Sequence, residues 1–431
     1  MKKRFIFILC GLFLCAGTIA ATDYNALQQG AVGDGRTLNT KSLQSAIDAL
    51  HEKGGGQLYF PAGRYLTGSL QLKSNVTLYL EKEAVLLGST SPYDYPGFST
   101  EKELKVNNDH FDQALIYVEG AENIDITGEG CIDGQGRELA LTIDSLHHTG
   151  ELVDKHYNTY RKRPNTRPKL LFMRNCRKVE LRKTNFRSGA AWGLSFSLCA
   201  DLTIDSLHVE NRAYWNNDGI DISDCKEVRI SNCFINSADD GICLKSHNRG
   251  AWNDRVSISN CHIISSASAI KFGTESLGGF KNVTIDNIRI KDTFRSAIAI
   301  ESVDGAEIEN VKLENIEIVC PGRATRGMAY MSVSRLKDVP ENEKGYPEFT
   351  MFEELPSWGF YVRHVKGIQM HNVKLRLQED DFRPAFVFDR VSNVRLSGIS
   401  LPENKKAGQV VLRQTSLQSA DNAVKEYITE V

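Results

Sequence analysis

The feature that most constrains the fold of this chain is a short strand-like phrase that recurs through its central part. Each phrase alternates apolar and polar residues, which is the period of a β-strand with one buried face. Four of these phrases are 26, 28 and 27 residues apart and begin at Leu202, Val228, Val256 and Val283. A period in the twenties is typical of a solenoid, in which each coil buries its apolar face against its neighbours. The chain lacks the Leu-x-x-Leu-x-Leu frame of leucine-rich repeats, so we predict an all-β fold, a parallel β-helix.

The ends of a solenoid expose apolar surface, and the sequence offers a cap for the first end. Residues 39–53 place Leu43, Ile47 and Leu50 at helical spacing and are followed by three glycines. This pattern predicts a short helix that we expect to cap the N-terminal end of the β-helix. Three stretches interrupt the repeat and are predicted to form projecting loops: 137–168, 246–255 and 321–358.

The first twenty residues have the pattern of a secretory signal peptide. Lys2, Lys3 and Arg4 precede an apolar run that is too short to span a membrane. No second long apolar run follows, so we expect a periplasmic or secreted protein with no membrane span, in which residues 21–431 form a single domain. We expect that domain to be a monomer.

Charge and cysteine content exclude two broad classes of function. The 52 basic and 54 acidic residues give a formal charge of −2, and without the three basic residues of the signal peptide it is −5, so a nucleic-acid partner is not expected. None of the eight cysteines after residue 20 belongs to a Cys-x-x-Cys pair, so a zinc or redox site is not indicated. Cys233 and Cys261 share a Ser-Asn-Cys phrase, and we interpret the cysteines as buried free thiols.

A second register brings acidic residues together. Four apolar segments superpose at offsets of 22, 28 and 28 residues and begin at Gly219, Gly241, Ala269 and Ala297. Alternate residues of these strands face outward, and adjacent coils lie about 4.8 Å apart. The register therefore places three carboxylates side by side on one face, those of Asp218, Asp239 and Asp240.

Such a cluster has three possible meanings. Like charges this close cannot all ionise freely, so the pKa of at least one group should rise. A protonated acid beside ionised carboxylates suits a glycoside hydrolase, in which one group protonates the leaving oxygen and another activates water. Clustered Asp oxygens also suit Ca²⁺, or they could form a solvated acidic edge. The residues alone leave the three interpretations open.

The same segments resemble the motifs of the polygalacturonases, glycoside hydrolase family 28. Residues 216–221 are similar to the family's Asn-Thr-Asp-Gly motif, and residues 237–242 to its Asp-Asp motif, whose first acid lies 21 positions after that of the former. The resemblance implies a right-handed parallel β-helix with an open groove, inverting hydrolysis of a pectic polysaccharide or oligosaccharide, no metal and no cofactor. Carried over by position, Asp239 would be the general acid, with Asp218 and Asp240 holding and activating the water.

Two motifs of the family are missing. Its Gly-His-Gly falls at residues 266–269, where no histidine is present, and its Arg-Ile-Lys, which grips a uronate carboxylate, falls at Ala299-Ile300-Glu301. The family's rhamnogalacturonan hydrolases also lack that histidine, so we predict rhamnogalacturonan or a decorated galacturonan as substrate. The alternatives are a polygalacturonase with relocated binding groups, a non-catalytic polysaccharide-binding relative and a calcium-dependent eliminase.

Other residues could supply the missing contacts. Lys245 and Lys271 occupy outward slots of the register, and Arg295 is in line with Asp239, so we hypothesise that these cations replace the missing ones. Each of them could equally be an ordinary solvated side chain. Further candidates for contacts with substrate are Asn216, Trp215, His247 and Glu301.

Overall fold

The computed structural model describes residues 22–95, 113–151, 167–302, 304–322, 333–339, 355–402 and 408–431. The predicted signal peptide lies outside the described residues, as do parts of the predicted loops at 137–168 and 321–358. Seven of the eight cysteines after residue 20 are buried and Cys131 is half-buried, and all eight are free thiols.

The chain forms a parallel β-helix, as the repeat predicts, and it is right-handed, as the family resemblance implies. Each coil contributes one strand to a twelve-stranded sheet, called sheet one here, and one or two strands to a second sheet of nineteen. Strands of successive coils pair in parallel, and crossovers between parallel strands are right-handed as a rule. Sheet one consists of Leu70–Leu72, Ala114–Glu119, Lys169–Arg174, Leu194–Ser197, Ile220–Ser223, Ile242–Ser246, Ile270–Ser276, Ile298–Glu301, Phe360–Arg363, Phe386–Asp389, Val410–Arg413 and Ile428–Glu430.

The strands, in chain order, are β1 (Thr22–Asn25), β2 (Gly56–Phe60), β3 (Gly63–Thr67), β4 (Leu70–Leu72), β5 (Val76–Leu80), β6 (Ala84–Gly88), β7 (Ala114–Glu119), β8 (Glu122–Thr127), β9 (Cys131–Asp133), β10 (Lys169–Arg174), β11 (Arg177–Arg182), β12 (Asn185–Arg187), β13 (Leu194–Ser197), β14 (Ala200–Asp205), β15 (His208–Asn211), β16 (Ile220–Ser223), β17 (Lys226–Ser231), β18 (Phe234–Ser237), β19 (Ile242–Ser246), β20 (Asn253–Ser265), β21 (Ile270–Ser276), β22 (Phe280–Lys291), β23 (Ile298–Glu301), β24 (Ile308–Cys320), β25 (Phe360–Arg363), β26 (Val365–Leu377), β27 (Phe386–Asp389), β28 (Ser392–Ser400), β29 (Val410–Arg413), β30 (Leu417–Ala420) and β31 (Ile428–Glu430).

The helices confirm one prediction and correct another. Helix α1 (Thr40–Glu52) buries Leu43 and Ile47 against the first coils, which confirms the predicted cap. The loop predicted at 137–168 is wrong over its first part, because Gly136–Thr149 is helix α2. Its buried Leu139 and Ile143 lie about one helical turn apart. The remaining helices of the described ranges are α3 (Asn422–Lys425) and two 3₁₀ turns, Pro92–Asp94 and Val333–Asp338.

Asparagines turn the chain at the corners of successive coils. Asn232, Asn260, Asn287 and Asn315 have φ angles of 56°, 54°, 52° and 55°. Asparagine tolerates this left-handed region better than most residues. The side chains also bond along the stack, since Asn287 Nδ2 donates to Asn260 Oδ1 at 2.8 Å. The asparagines beside the repeated phrases therefore have a structural role.

The core confirms the register predicted for the central coils. Ile220, Ile242, Ile270 and Ile298 pair with one another on successive strands of sheet one and are fully buried. Because side chains alternate along a strand, the residue that follows each of these isoleucines in its own strand faces the outside of the β-helix. The outer face of sheet one therefore carries the chemistry-bearing residues of the register.

Part of that outer face is covered by a later segment. Leu336, Val339 and Leu355 are buried in one apolar cluster with the outward-facing Ala299 and Tyr361 of β23 and β25. The described parts of the predicted loop at 321–358 therefore pack over the C-terminal coils. The polar residues of the register lie beside this cover, on β16, β19 and β21.

Candidate active site

The three acids lie in the loops that enter two neighbouring strands of sheet one. Asp218 comes just before β16, and Asp239 and Asp240 come just before β19. The two loops are bonded through their backbones, because Asp239 N donates to Asn217 O at 3.2 Å and Gly219 N donates to Asp240 O at 2.9 Å. The structure therefore brings the three carboxyl groups together on adjacent coils.

A glycine follows Asp218 because the next coil leaves no room for a side chain. A Cβ on Gly219 would lie 2.4 Å from Gly241 O and 2.6 Å from a methyl carbon of Ile235. We expect Gly219→Ala to lower the free energy of unfolding by about 1–3 kcal/mol, measured by urea denaturation. Ala269→Gly, in the same slot two coils further on, is the control and should cost at most about 1 kcal/mol. An unfolding midpoint unchanged by Gly219→Ala would contradict this account.

Two buried asparagines hold the loop that carries Asp218. Asn211 Nδ2 donates to the carbonyl oxygen of Asp218 at 2.8 Å. Asn217 Nδ2 donates to the carbonyl oxygens of Gly189 and Ala191 at 2.9 and 2.6 Å. Asn211 is not among the predicted site residues, because nothing in its sequence surroundings distinguishes it from the asparagines that turn the coils.

Lys271 binds one of the three acids. Its Nζ lies 3.1 Å from Asp240 Oδ2, and its side chain is only 1% exposed. Asp240 Oδ1 accepts a further hydrogen bond from Ser268 N at 3.2 Å. The interpretation of Lys271 as an ordinary solvated lysine is therefore wrong, since the ammonium group stabilises the ionised form of Asp240.

Lys245 binds two carboxylates, one of which is not among the predicted site residues. Its Nζ lies 3.2 Å from Asp218 Oδ2 and 2.5 Å from Asp221 Oδ1, and 3.7 Å from the centre of the Trp192 ring. The Lys245 side chain is 6% exposed, so it too is not an ordinary solvated lysine. Asp221 occupies an outward slot of β16, two coils before Lys271. The register that points to the two lysines as site residues therefore points to Asp221 as well.

The surroundings drive the pKa values of two neighbouring acids in opposite directions. Burial, followed by the negative charges of Asp218 and Asp240, raises the pKa of Asp239 to about 7. Burial also acts to raise the pKa of Asp240, but the positive charges of Lys271 and Arg295 outweigh it and lower that pKa. Below about pH 7 one group is thus mostly protonated beside one that is ionised, which is the division that acid–base catalysis requires.

Asp218 and Asp221 share a single ammonium group. Burial, followed by the charge of Asp221, raises the pKa of Asp218 to about 8, against the opposing effect of Lys245. Burial also raises the pKa of Asp221. Asp218 Oδ1 and Asp221 Oδ2 have no hydrogen-bond partner among the described residues. This pair of carboxyl groups therefore retains a proton near neutral pH.

Some of the other predicted contact residues are exposed at the surface, and others are held by neighbouring side chains. Arg295 Nη1 lies 3.9 Å from Asp239 Oδ1, and the two side chains are 28% and 25% exposed. The Trp215 side chain is 66% exposed. Asn216 is held by Arg167, whose Nη2 donates to Asn216 Oδ1 at 3.0 Å. Trp215, Asp239 and Arg295 are thus within reach of a substrate.

His247 and Glu301 lie further from the surface. His247 Nε2 is 3.2 Å from Ser223 Oγ and its Nδ1 is 2.5 Å from Glu275. Glu301 is fully buried, and in the part of the chain that the structure describes neither of its carboxyl oxygens has a hydrogen-bond partner. Burial raises the pKa of Glu301 to about 8, against the positive charges of Lys271 and Arg363. A substrate on the surface does not reach Glu301 in this arrangement.

The calcium interpretation of the cluster receives no geometric support. Within the described ranges, no three His, Cys, Asp or Glu side chains are arranged to hold a metal ion. Lys245 and Lys271 already bind one oxygen each of Asp218 and Asp240.

Comparison with known proteins settles the family. The sequence profile of glycosyl hydrolases family 28 matches residues 56–320, which include all three acids. The chain belongs to this family. A probable polygalacturonase of Vitis vinifera is 30% identical to it, over 65% of this chain and 55% of that protein. An exo-poly-alpha-D-galacturonosidase of Dickeya chrysanthemi is 28% identical, over 51% of this chain and 41% of that protein. The family 28 chain thus spans about half the length of these relatives.

A solved structure supports the fold of this family 28 chain over nearly all its length. The family 28 exopolygalacturonase of Yersinia enterocolitica is 21% identical, with a TM-score of 0.68 over 95% of this chain and 75% of that protein. This similarity confirms the β-helix.

Proposed function

We propose that this family 28 protein hydrolyses glycosidic bonds in a pectic polysaccharide. The observation that carries the proposal is the opposite direction of the pKa shifts at the adjacent Asp239, whose side chain is 25% exposed, and Asp240, which is buried against Lys271. A hydrolase needs a protonated acid for the leaving oxygen and an ionised base for the water. A binding module requires neither.

In the proposed reaction, Asp239 gives its proton to the oxygen of the leaving sugar. Its side chain is 25% exposed, the most open of the three acids. Asp240, kept ionised by Lys271, accepts a proton from the attacking water, and Asp218 helps to position that water. Attack from the face opposite the leaving group inverts the anomeric carbon.

The proposed substrate is rhamnogalacturonan or a decorated galacturonan. The named relatives act on galacturonans, but Lys245 and Lys271 are bound to carboxylates of this protein. The alternative is an ordinary polygalacturonase in which these two lysines bind the uronate carboxylate. That alternative therefore loses support. Arg295 remains as a partly exposed cation near the acid.

The proposed location is the periplasm or the cell exterior. It rests on the signal-peptide pattern of residues 1–20. In the part of the chain that the structure describes, no helix has the length and apolar character needed to cross a membrane. We also propose that the protein acts as a monomer.

The proposed function is tested by incubating the protein with rhamnogalacturonan and, in parallel, with homogalacturonan. We expect new reducing ends to form faster on rhamnogalacturonan, and nuclear magnetic resonance of the first products to show an inverted anomer. Faster cleavage of homogalacturonan would contradict the proposed substrate but not the hydrolysis. An unsaturated product that absorbs in the ultraviolet, formed in a reaction that EDTA stops, would identify an eliminase and contradict the hydrolysis itself.

The pH profile of the reaction follows from the acid. We expect kcat/KM to be high below about pH 7 and to fall above it, because Asp239 loses the proton that it must donate. Arg295 lowers the pKa of Asp239, so Arg295→Gln should move this alkaline limb to higher pH. Initial rates of reducing-end release across pH measure both effects. A limb that stays in place or moves to lower pH in Arg295→Gln would exclude Asp239 as the group that titrates.

A further inference from the structure

Two exposed aromatic side chains lie close to the candidate acid. Trp215 is 66% and Phe294 is 51% exposed. Of the nine large apolar side chains that are exposed among the described residues, only Tyr93 is also aromatic. Exposed apolar side chains that share one surface can mark a binding site.

The register places these two aromatic residues on opposite sides of Asp239. Asp239 N donates to Asn217 O at 3.2 Å, and Arg295 N donates to Ala267 O at 3.4 Å. Ser265 Oγ joins the two pairs, because it donates to Asp239 O at 2.7 Å and accepts from Ala267 N at 2.9 Å, so the four residues form one row along the β-helix. Trp215 belongs to the coil before Asp239 and Phe294 to the second coil after it. The coil spacing gives offsets of about 5 Å and about 10 Å along the axis. A sugar chain that runs along the β-helix over Asp239 passes both rings.

The loop that carries Trp215 is fixed by Arg167. Arg167 Nη1 donates to the carbonyl oxygen of Trp215 at 2.5 Å, and its Nη2 donates to Asn216 Oδ1 at 3.0 Å. The guanidinium carbon also lies 5.1 Å from the centre of the Tyr214 ring. The backbone of Trp215 is therefore anchored while its side chain stays exposed.

The loop that carries Phe294 is fixed on both sides. The preceding Thr293 is buried, and its Oγ1 lies 3.2 Å from Cys320 Sγ. The buried Ser296, two residues after Phe294, donates from Oγ to the carbonyl oxygen of Ser357 at 2.7 Å. A ligand that contacts Phe294 or Trp215 therefore has little backbone to order, which lowers the entropic cost of binding.

The burial of two lysines affects how the site can bind a sugar chain. Lys245 and Lys271 are buried in ion pairs, so neither is available to attract an anionic chain to the surface. Contact between an aromatic ring and the C–H groups on the face of a pyranose ring is driven by apolar burial and dispersion, and does not require a charge on the sugar. Such contacts serve neutral and uronic rings alike.

We propose that Trp215 and Phe294 stack on pyranose rings on the two sides of the bond that Asp239 protonates. The assignment of that bond rests on the proposed function, whereas the binding of sugar rings by the two aromatic residues does not. Trp215 and Phe294 are thus binding residues for a pectic chain, and the pair fixes which rings lie beside the acid.

Binding is measured without turnover in an Asp239→Asn background, with oligosaccharides of rhamnogalacturonan and of homogalacturonan as the probes. We expect Trp215→Ala and Phe294→Ala each to raise the Kd roughly tenfold, which corresponds to about 1.4 kcal/mol. Trp215→Phe and Phe294→Tyr keep a ring and should restore most of the affinity. Leu27→Ala, which removes an apolar side chain that is 47% exposed in the turn after β1, is the control and should leave the Kd unchanged.

The outcomes separate this inference from the proposed function. Affinity lost in both alanine variants and restored by the aromatic ones supports the inference, even if the active protein proves to cleave nothing. Unchanged Kd values for both oligosaccharides in both alanine variants would overturn it, whether or not the protein hydrolyses pectin. Loss of affinity that Trp215→Phe and Phe294→Tyr fail to restore would also overturn it, since disturbed loops rather than stacking would then explain the loss. In the active protein, the alanine variants should raise KM more than they lower kcat.

Discussion

Replacement of Asp239 by asparagine is expected to lower kcat on the cleaved polysaccharide by between about a hundredfold and ten-thousandfold, with little change in KM. General acid catalysis contributes about that much to a rate. Asp239 is the one acid of the three that is both held protonated near neutral pH and partly exposed to a substrate. Asparagine has nearly the same shape but no acidic proton, so binding is retained and protonation of the leaving oxygen is lost.

A loss of folding would not explain that result. Asp239 Oδ1 accepts a hydrogen bond from Asp240 N at 3.1 Å, and the amide oxygen of asparagine can accept the same bond. The substitution also removes one negative charge from a crowded acidic site, so the melting temperature should be unchanged or higher. Asp201→Asn, at a surface carboxylate that is 44% exposed and paired with Arg177, is the matched control and should keep full activity.

The role of Asp239 can be separated from that of Asp240 with an activated substrate. An aryl glycoside whose leaving group is a weak base needs no proton from the enzyme, so Asp239→Asn should recover much of its activity on it. Asp240→Asn lacks the base for the water and should stay inactive on both substrates. Equal activity of Asp239→Asn and the parent protein on the polysaccharide would refute the mechanism.

The repeat made most of the fold predictable. Alternation along each strand decides which side chains face inward, and the 22- and 28-residue offsets align the stacked isoleucines such as Ile220 and Ile242. Because a coil can bury its inner face only against equivalent residues of its neighbours, the pattern leaves one register. That register also places Asp218 beside Asp240, and the hydrogen bond from Gly219 N to Asp240 O joins the two coils at this point.

Burial on the outer face could not be predicted in this way. Alternation shows that Lys271 and Glu301 face outward, but whether an outward slot is open depends on segments far away in the chain. The cover formed by Leu336 and Leu355 is one such segment. Helix α2 was missed for a related reason: its few buried residues lie in a stretch whose composition resembles a loop, and tertiary contacts decide its structure.

Replacement of Lys245 by methionine is expected to lower the free energy of unfolding at pH 7 by about 3–5 kcal/mol. Methionine keeps most of the apolar stem but leaves Asp218 and Asp221 without their shared ammonium group, and loss of one partner from a buried ion pair costs about this much. Lys73→Met, which breaks a surface pair with Asp48 between side chains that are 35% and 38% exposed, is the control. It should cost no more than about 1 kcal/mol.

The loss in Lys245→Met should depend on pH, and the sign follows from proton binding. Without the ammonium group, the folded state binds more protons on Asp218 and Asp221 than the unfolded state does, because burial already raises both pKa values. Stability then falls as pH rises, by about 1.4 kcal/mol per pH unit for each extra proton, starting near the ordinary pKa of aspartate. The penalty is therefore small in acid and largest near neutral pH, which urea unfolding at several pH values can measure. Adding Asp221→Asn to Lys245→Met removes one of the two carboxyl groups and should recover most of the stability at pH 7. A penalty that is the same at every pH, or that Asp221→Asn leaves unchanged, would show that Lys245 stabilises the protein through packing against Trp192 and not through its charge.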